Sequence, residues 1–412
     1  MTDVKRGFVE WAQPLMLRHL KEDIMPFWTQ TEMLGDPFGR FPTFASQDGH
    51  PDWSRPRYVR MHGRQTYAYL AAYELLKEPP LLDYGLAGLR KLEDYENPNG
   101  GYYSQIGADD VALDTPVTIQ DQCYSAFPYL MAYRVTGERR HLDRIWRFVD
   151  FIDNGPYRRA DGSYVDSLRL DLKKEVFFET PTMNIVSVID FLNLILIPAL
   201  ALSPAAEISG RRKDLLVKWT DLLVSEFYGK GVFWNERGNR DHWRAKHVDL
   251  GHTAKSYGIL KKASRLFANW RVVDRHAGVL SGFPPIVRAA ADRVMGWKTD
   301  FDVSATTFLV GDMQWWRHAI IDQTVYHFLD DCPSLVNELR QGVLSWLDSE
   351  YVDRRRLCRG IRETLGSDGK CAEDVVSNAS KANLWKSGYH EVEHVLTLTG
   401  RELPGLIDER IH

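Results

Sequence analysis

The sequence predicts an all-α fold, an (α/α)6 barrel with short β-hairpins at one end, running as a single domain over residues 1–412. Three observations point there. About twelve segments carry apolar residues at helical spacing, separated by short Gly/Asn/Asp-rich turns, with little sustained period-2 alternation. A turn followed by aromatic or β-branched residues recurs between some of them. The length of 412 residues is more than one ordinary domain needs, yet a ring of helix pairs absorbs it.

Taken in order, the helices are expected over 8–30, 60–77, 82–95, 118–136, 138–153, 181–201, 211–227, 251–270, 283–296, 313–329, 334–350 and 385–398. The recurring motif reads Asn99-Gly100-Gly101-Tyr102-Tyr103, Asp161-Gly162-Ser163-Tyr164-Val165 and Gly229-Lys230-Gly231-Val232-Phe233-Trp234. Each is expected to form a short hairpin capping a helix pair. The even-numbered helices open with polar or aromatic groups on otherwise apolar faces: Arg64 and Gln65, Asp121 and Gln122, Asn184, His252, Trp315 and Trp316, and His390. These should line the inside of the ring, gathering six helix mouths around one pocket, with the odd-numbered helices outside.

Composition narrows the function classes. Hydrophobic residues at 44% and charged residues at 26% are ordinary for a globular protein with a sizeable core. A net charge of -4, with only short basic runs, argues against nucleic acid as a partner. Thirteen tryptophans suit a cavity that stacks on sugar rings, and they are also good core filler. Cys123, Cys332, Cys358 and Cys371 show no CxxC spacing, which points to a reducing, cytoplasmic location. The most apolar run, Val186 to Leu202, is broken by Asp190, Asn193 and Pro198, so it reads as a buried helix and no membrane partner is expected.

Two histidines stand out. His252 opens a helix and shares a stripe with Ser256, Ile259, Leu260, Ala263, Leu266, Phe267 and Trp270, while Lys261 on the opposite side should face water. His390 opens the last helix in the same way, after Gly388 and Tyr389. Two imidazoles at inner helix mouths can move a proton; the plainer alternative for each is a satisfied core histidine. Arg55, Arg57 and Arg60, beside His62 and Arg64, could bind an anionic group, although a solvated, salt-bridged loop is the favoured account of Arg55 and Arg57.

The order and spacing of several pieces add a resemblance. They are His62-Gly63-Arg64-Gln65-Thr66-Tyr67-Ala68-Tyr69, Gly100-Gly101-Tyr102, Ala126-Phe127, Gly251-His252, Trp315-Trp316 and Trp385-Lys386-Ser387-Gly388-Tyr389-His390. Together they make the chain resemble the N-acylglucosamine 2-epimerase superfamily, which includes mannose and sulfoquinovose isomerases and cellobiose 2-epimerase. The resemblance implies an (α/α)6 barrel that interconverts aldoses with ketoses or C2 epimers, using no metal or redox cofactor. It implies that His252 and His390 are the acid/base pair and that Arg64 meets the sugar's carbonyl end. Gln65, His62, Asp121, Asn184, Lys255, Trp316 and Tyr389 are the further substrate-binding candidates. The expected partner is a sugar or polyol-like small molecule, with an anionic group as one option, and a homodimer is allowed.

The chain departs from the family pattern at several positions. Lys255 stands where the pattern has a glutamate three residues after the first histidine, and Met183-Asn184 with Ser187 replaces a Met-His and its following glutamate. Ile320 lies near an expected acidic position, and Val392-Glu393 replaces a Pro-Arg pair. Lys255 could instead serve as an imine-forming amine. Three other readings compete. His390-Glu391-Val392-Glu393-His394 matches the HExxH zinc pattern, but position 400 is Gly400, so a third ligand is missing. Paired carboxylates of a glycoside hydrolase or lyase could come from Asp121, Asp249, Asp300, Asp302 and Glu391. The altered pocket residues also fit a barrel that only binds its ligand.

Overall fold

The computed structural model of the chain describes residues 1–176, 183–235, 247–266, 276–303, 306–309, 311–354, 360–371 and 380–402. By internal packing the chain forms two compact units. The first comprises Met1–Pro26, Ala206–Ala379 and His390–His412; the second comprises Phe27–Ala205 and Ser380–Tyr389.

In the first unit the leading helix, Asp3–His19, starts five residues before its expected position because Thr2 caps it, accepting from the Lys5 backbone N–H. It continues into a π-helical turn, Leu20–Ile24. Helix Leu250–Leu266 packs along helix Trp315–Phe328. Thr324 sits beneath Gly258 and its hydroxyl donates to the Ala254 carbonyl at 3.0 Å. Their far ends are tied by charge. Asp330 takes Lys5 Nζ at 3.1 Å and Arg265 Nη2 at 2.8 Å, and Glu402 takes His327 Nε2 at 3.1 Å and Lys262 Nζ at 3.3 Å. Burial lowers His327 to about 4, against the opposing pull of Glu402.

Two sequence expectations need correcting in this unit. The helix expected over 283–296 stops at Ala290, and Ala291–Asp292 pairs with Gly296–Trp297 as a hairpin. The Asp292 side chain accepts from the backbone of Val294 and Met295, and Gly296 supplies the left-handed φ of +77 that the turn requires. Lys261, expected in water, instead lays its ammonium 2.5 Å from Asp331. A three-stranded antiparallel sheet, not anticipated from the sequence, joins His247–Asp249, Asp300–Asp302 and Thr307–Leu309, with Asp300 opposite Asp249. Phe301 and Val248 bury one side of it against Val232 and Trp234.

The second unit is built on helix Val59–Leu76, which packs against Pro79–Asp94 and Ile119–Ala126. Gly63 allows the closest approach, since a Cβ there would strike the Tyr124 carbonyl. The segment expected as one helix over 118–136 breaks at Phe127, with Pro128 opening Pro128–Thr136. The apolar run forms Ile185–Asp190, a π-helical stretch Phe191–Leu196, and Ile197–Leu202. By length and composition Ile185–Leu202 could cross a membrane, and it is 89% buried inside the protein.

The three turn motifs pair as expected, through Glu96 with Tyr102, Arg158 with Tyr164, and Tyr228–Gly229 with Val232–Phe233. The last helix begins at Tyr389 instead of position 385. The Asn383 carboxamide oxygen accepts from the Trp385 and Lys386 backbone, which holds those residues in a turn.

Candidate active site

The first unit brings His252, Trp316 and His390 together. Asp249 ends the strand His247–Asp249, and the adjoining Leu250 donates its backbone N–H to the Thr299 carbonyl at 2.8 Å. Asp249 Oδ1 then accepts from the Gly251 N–H at 2.7 Å, satisfying one of the open donors at the start of the helix. The residue between Leu250 and His252 must be small. A Cβ on Gly251 would stand 2.7 Å from a ring carbon of Trp316 and 3.0 Å from Arg317 Cγ.

That closeness lets the Trp316 indole reach the histidines. Its ring centroid is 4.9 Å from that of His252 and 6.2 Å from that of His390. The two imidazoles therefore share one indole and lie no further apart than those two distances laid end to end. Trp315, one residue earlier, is buried and meets His390 edge-on at 5.9 Å. Adjacent tryptophans on a helix diverge, and here one is core while the other remains partly open. Trp316 Nε1 is fixed by the Gln314 side chain at 2.8 Å.

Charge around His252 is arranged in a chain. His252 Nδ1 lies 3.1 Å from Asp249 Oδ2. Arg317 reaches Asp249 Oδ1 at 3.3 Å through Nε and Asp300 Oδ1 at 3.1 Å through Nη1. Burial pushes Asp249 up, but the Arg317 guanidinium, the His252 ring and the Gly251 N–H outweigh it and hold the carboxyl below its ordinary value. Two of the five carboxylates weighed from the sequence, Asp249 and Asp300, thus converge on one guanidinium. Lys255 is buried one helical turn past His252. Of the residues expected on the His252 stripe, Phe267 and Trp270 lie outside the described residues.

The HExxH pair is separated by its surroundings. His394 Nε2 lies 2.9 Å from Asp322 Oδ2, and both side chains are fully buried. Trp297 Nε1 donates to the other Asp322 oxygen at 2.8 Å, and His318 closes the group, its Nε2–H donating to the Gly342 carbonyl at 2.9 Å and lying 3.6 Å from Asp322 Oδ2. Burial raises Asp322 to about 7 and lowers His394 to about 3. Among the described residues no group of three or more His, Cys, Asp or Glu side chains could hold a metal ion.

The remaining candidates belong to the second unit. Arg64 donates to the Trp385 carbonyl at 2.7 Å, and its guanidinium lies 3.7 Å from the centre of the Tyr124 ring. Tyr389 is fully buried against Tyr67, Tyr124 and Phe127. The Gln65 side chain accepts from the Gly388 N–H at 3.1 Å. Asp121 pairs with Arg60 at 3.1 Å and accepts from Ser104. Arg57 pairs with Asp110. His62 is stacked on Phe41 and bonded to the Gly88 carbonyl at 2.9 Å, and burial lowers it to about 4. That is the environment of a core histidine. Asn184 is an N-cap, accepting from the Val186 N–H at 3.0 Å.

Sequence reasoning named Asp249 only as one carboxylate among five and did not join it to His252, and it did not name Arg317 at all. The usable signal for Asp249 was its place three residues before His252 at a helix start. Arg317 follows the tryptophan pair directly, which puts it at the same helix mouth.

No protein-family model and no curated protein sequence matches the chain. Solved structures do. The cellobiose 2-epimerase of Spirochaeta thermophila DSM 6192 superposes with a TM-score of 0.81 at 14% identity, covering 97% of this chain and 98% of that one. The cellobiose 2-epimerase of Bacillus thermoamylovorans B4167 gives 0.80 at 15% identity, covering 96% and 100%. A D-mannose isomerase gives 0.76 at 14% identity, covering 94% and 98%. These are proteins of the superfamily that the sequence resembles, and the fold class is the one expected: an all-α (α/α)6 barrel carrying short β-hairpins.

Proposed function

We propose that the chain is a sugar isomerase- or 2-epimerase-like enzyme in which His252 and His390 exchange a proton at the carbon beside a carbonyl. The observation that carries this reading is the Trp316 indole set against both imidazoles within one unit. The similarity to cellobiose 2-epimerases and a D-mannose isomerase supports it.

The chemistry fits the residue types. A C–H bond next to a carbonyl is weakly acidic, so breaking it needs a base placed at hydrogen-bond distance, and imidazole has the ordinary pKa closest to neutral. One histidine would take the proton, leaving an enediolate. Return of a proton by the second histidine to the other face of that carbon inverts it, while return to the neighbouring carbon interconverts aldose and ketose. An indole face such as that of Trp316 suits the apolar side of a sugar ring.

The test is incubation in deuterated water with a panel of aldoses, ketoses and N-acyl hexosamines, read by NMR for deuterium at C2. Incorporation should occur with at least one sugar and fall by about 100-fold or more in His252→Ala and in His390→Ala. Sugar binding without incorporation would replace the reading by a binding protein, and glycoside hydrolysis without C2 label would replace it by a carboxylate enzyme.

A further inference from the structure

We infer that Asp249 is the positioning residue of His252, a carboxylate standing one helical turn before the histidine and itself held in place by Arg317. The assignment of a catalytic consequence rests on the reaction proposed above; the contact between the two side chains does not.

Three constraints fix Asp249. Its backbone lies in the strand opposite Asp300, its Oδ1 caps the helix through the Gly251 N–H at 2.7 Å, and Arg317 reaches the same oxygen at 3.3 Å. With Oδ1 so occupied, Oδ2 is the oxygen left for His252 Nδ1, at 3.1 Å. The contact is oblique for a hydrogen bond, so charge is its main effect. A carboxylate at Nδ1 favours the tautomer with the proton on that nitrogen, which leaves Nε2 as the atom that accepts and returns a proton. It also stabilises the imidazolium formed when Nε2 is protonated.

Among the described residues, several charged or ionisable groups lie near this pair. Lys255 is buried one turn further along the same helix. Arg317 from the neighbouring helix keeps Asp249 ionised, and Asp300 from the adjoining strand offsets the guanidinium. His390 approaches through Trp316.

The experiment uses the full chain with 15N-labelled histidine and reads the His252 ring nitrogens by NMR at neutral pH, in the wild type and in Asp249→Asn. Asparagine caps a helix about as well as aspartate, so the variant keeps the fold and removes only the charge. Asp249→Ser, a second good cap, serves as the replicate. The wild type should show the Nδ1–H tautomer, and both variants should lose that preference. Deuterium incorporation should fall between about 100- and 10,000-fold with KM little changed, the pattern of a lost orienting carboxylate. Unchanged ring-nitrogen shifts in both variants would overturn the inference. Shifted nitrogens in a protein whose wild type labels no sugar would uphold the Asp249–His252 pair and sink the proposed reaction instead.

Discussion

Asp249 and Asp322 are both buried aspartates of the first unit, each within hydrogen-bond distance of a histidine, and they are displaced in opposite directions. Asp249 is held below its ordinary range and Asp322 is raised to about 7. Burial pushes both upward. The difference lies in what opposes it: Asp249 has the Arg317 guanidinium, while Asp322 has the His318 and His394 rings and the Trp297 N–H. A neutral imidazole gives a buried carboxylate little reason to ionise, whereas a guanidinium, charged at every accessible pH, does. The unit therefore keeps the aspartate beside His252 ionised and holds the one beside His394 near neutrality inside the core.

The comparison can be broken most severely at the core pair. Asp322→Ala leaves His394 Nε2 and Trp297 Nε1 without their acceptor in a fully buried site. Urea unfolding should report a loss of roughly 3 to 5 kcal/mol; a loss under about 1 kcal/mol would mean that the group is not holding the helices together. Next in size is Arg317→Met, which should make Asp249 resemble Asp322. Its carboxyl, followed by 13C NMR titration, should move up toward and past the ordinary aspartate value. No movement would show that Arg317 is not what keeps Asp249 ionised.

The smallest effect concerns pH. Asp322 has a folded pKa of about 7, above the roughly 3.9 of an unfolded aspartate. Its contribution is therefore fully present below about pH 4 and is lost as pH rises through 7. Asp322→Asn mimics the protonated form and should remove this dependence. The stability of the wild type minus that of the Asn variant should fall by roughly 2 kcal/mol between pH 5 and pH 7. His318 and His394, lowered by burial, act in the opposite sense, but they are present in both proteins and enter the difference only through the pull of the Asp322 charge on His318. A flat difference curve would place the Asp322 titration elsewhere.

Much of the fold was legible in the sequence because helical periodicity and Gly-rich turns are local signals. The helices around Tyr67, Ile145 and Ile259 and the hairpins at Gly100, Gly162 and Gly231 follow from neighbours a few residues away. The sheet joining Asp249, Asp300 and Thr307 was not legible, since its strands are three residues each and their pairing is long-range. The same gap hid the charge chain. Lys255 was visible as a missing carboxylate, but the carboxylate that lies beside His252 stands at a strand end and is met by Arg317 from another helix, a relation no local spacing encodes. His62 illustrates the reverse error. A polar residue on an apolar face looked like a ligand contact, and a partner helix contributed the Gly88 carbonyl that satisfies it.

Gly251 has a consequence for anyone altering this protein. Because the indole rests on its bare α-carbon, even one added methyl group must push Trp316 or Arg317 aside. A randomised library at that codon, screened for turnover, should return glycine almost alone, while the nearby Thr253, whose hydroxyl bonds to the Phe233 backbone, should accept serine.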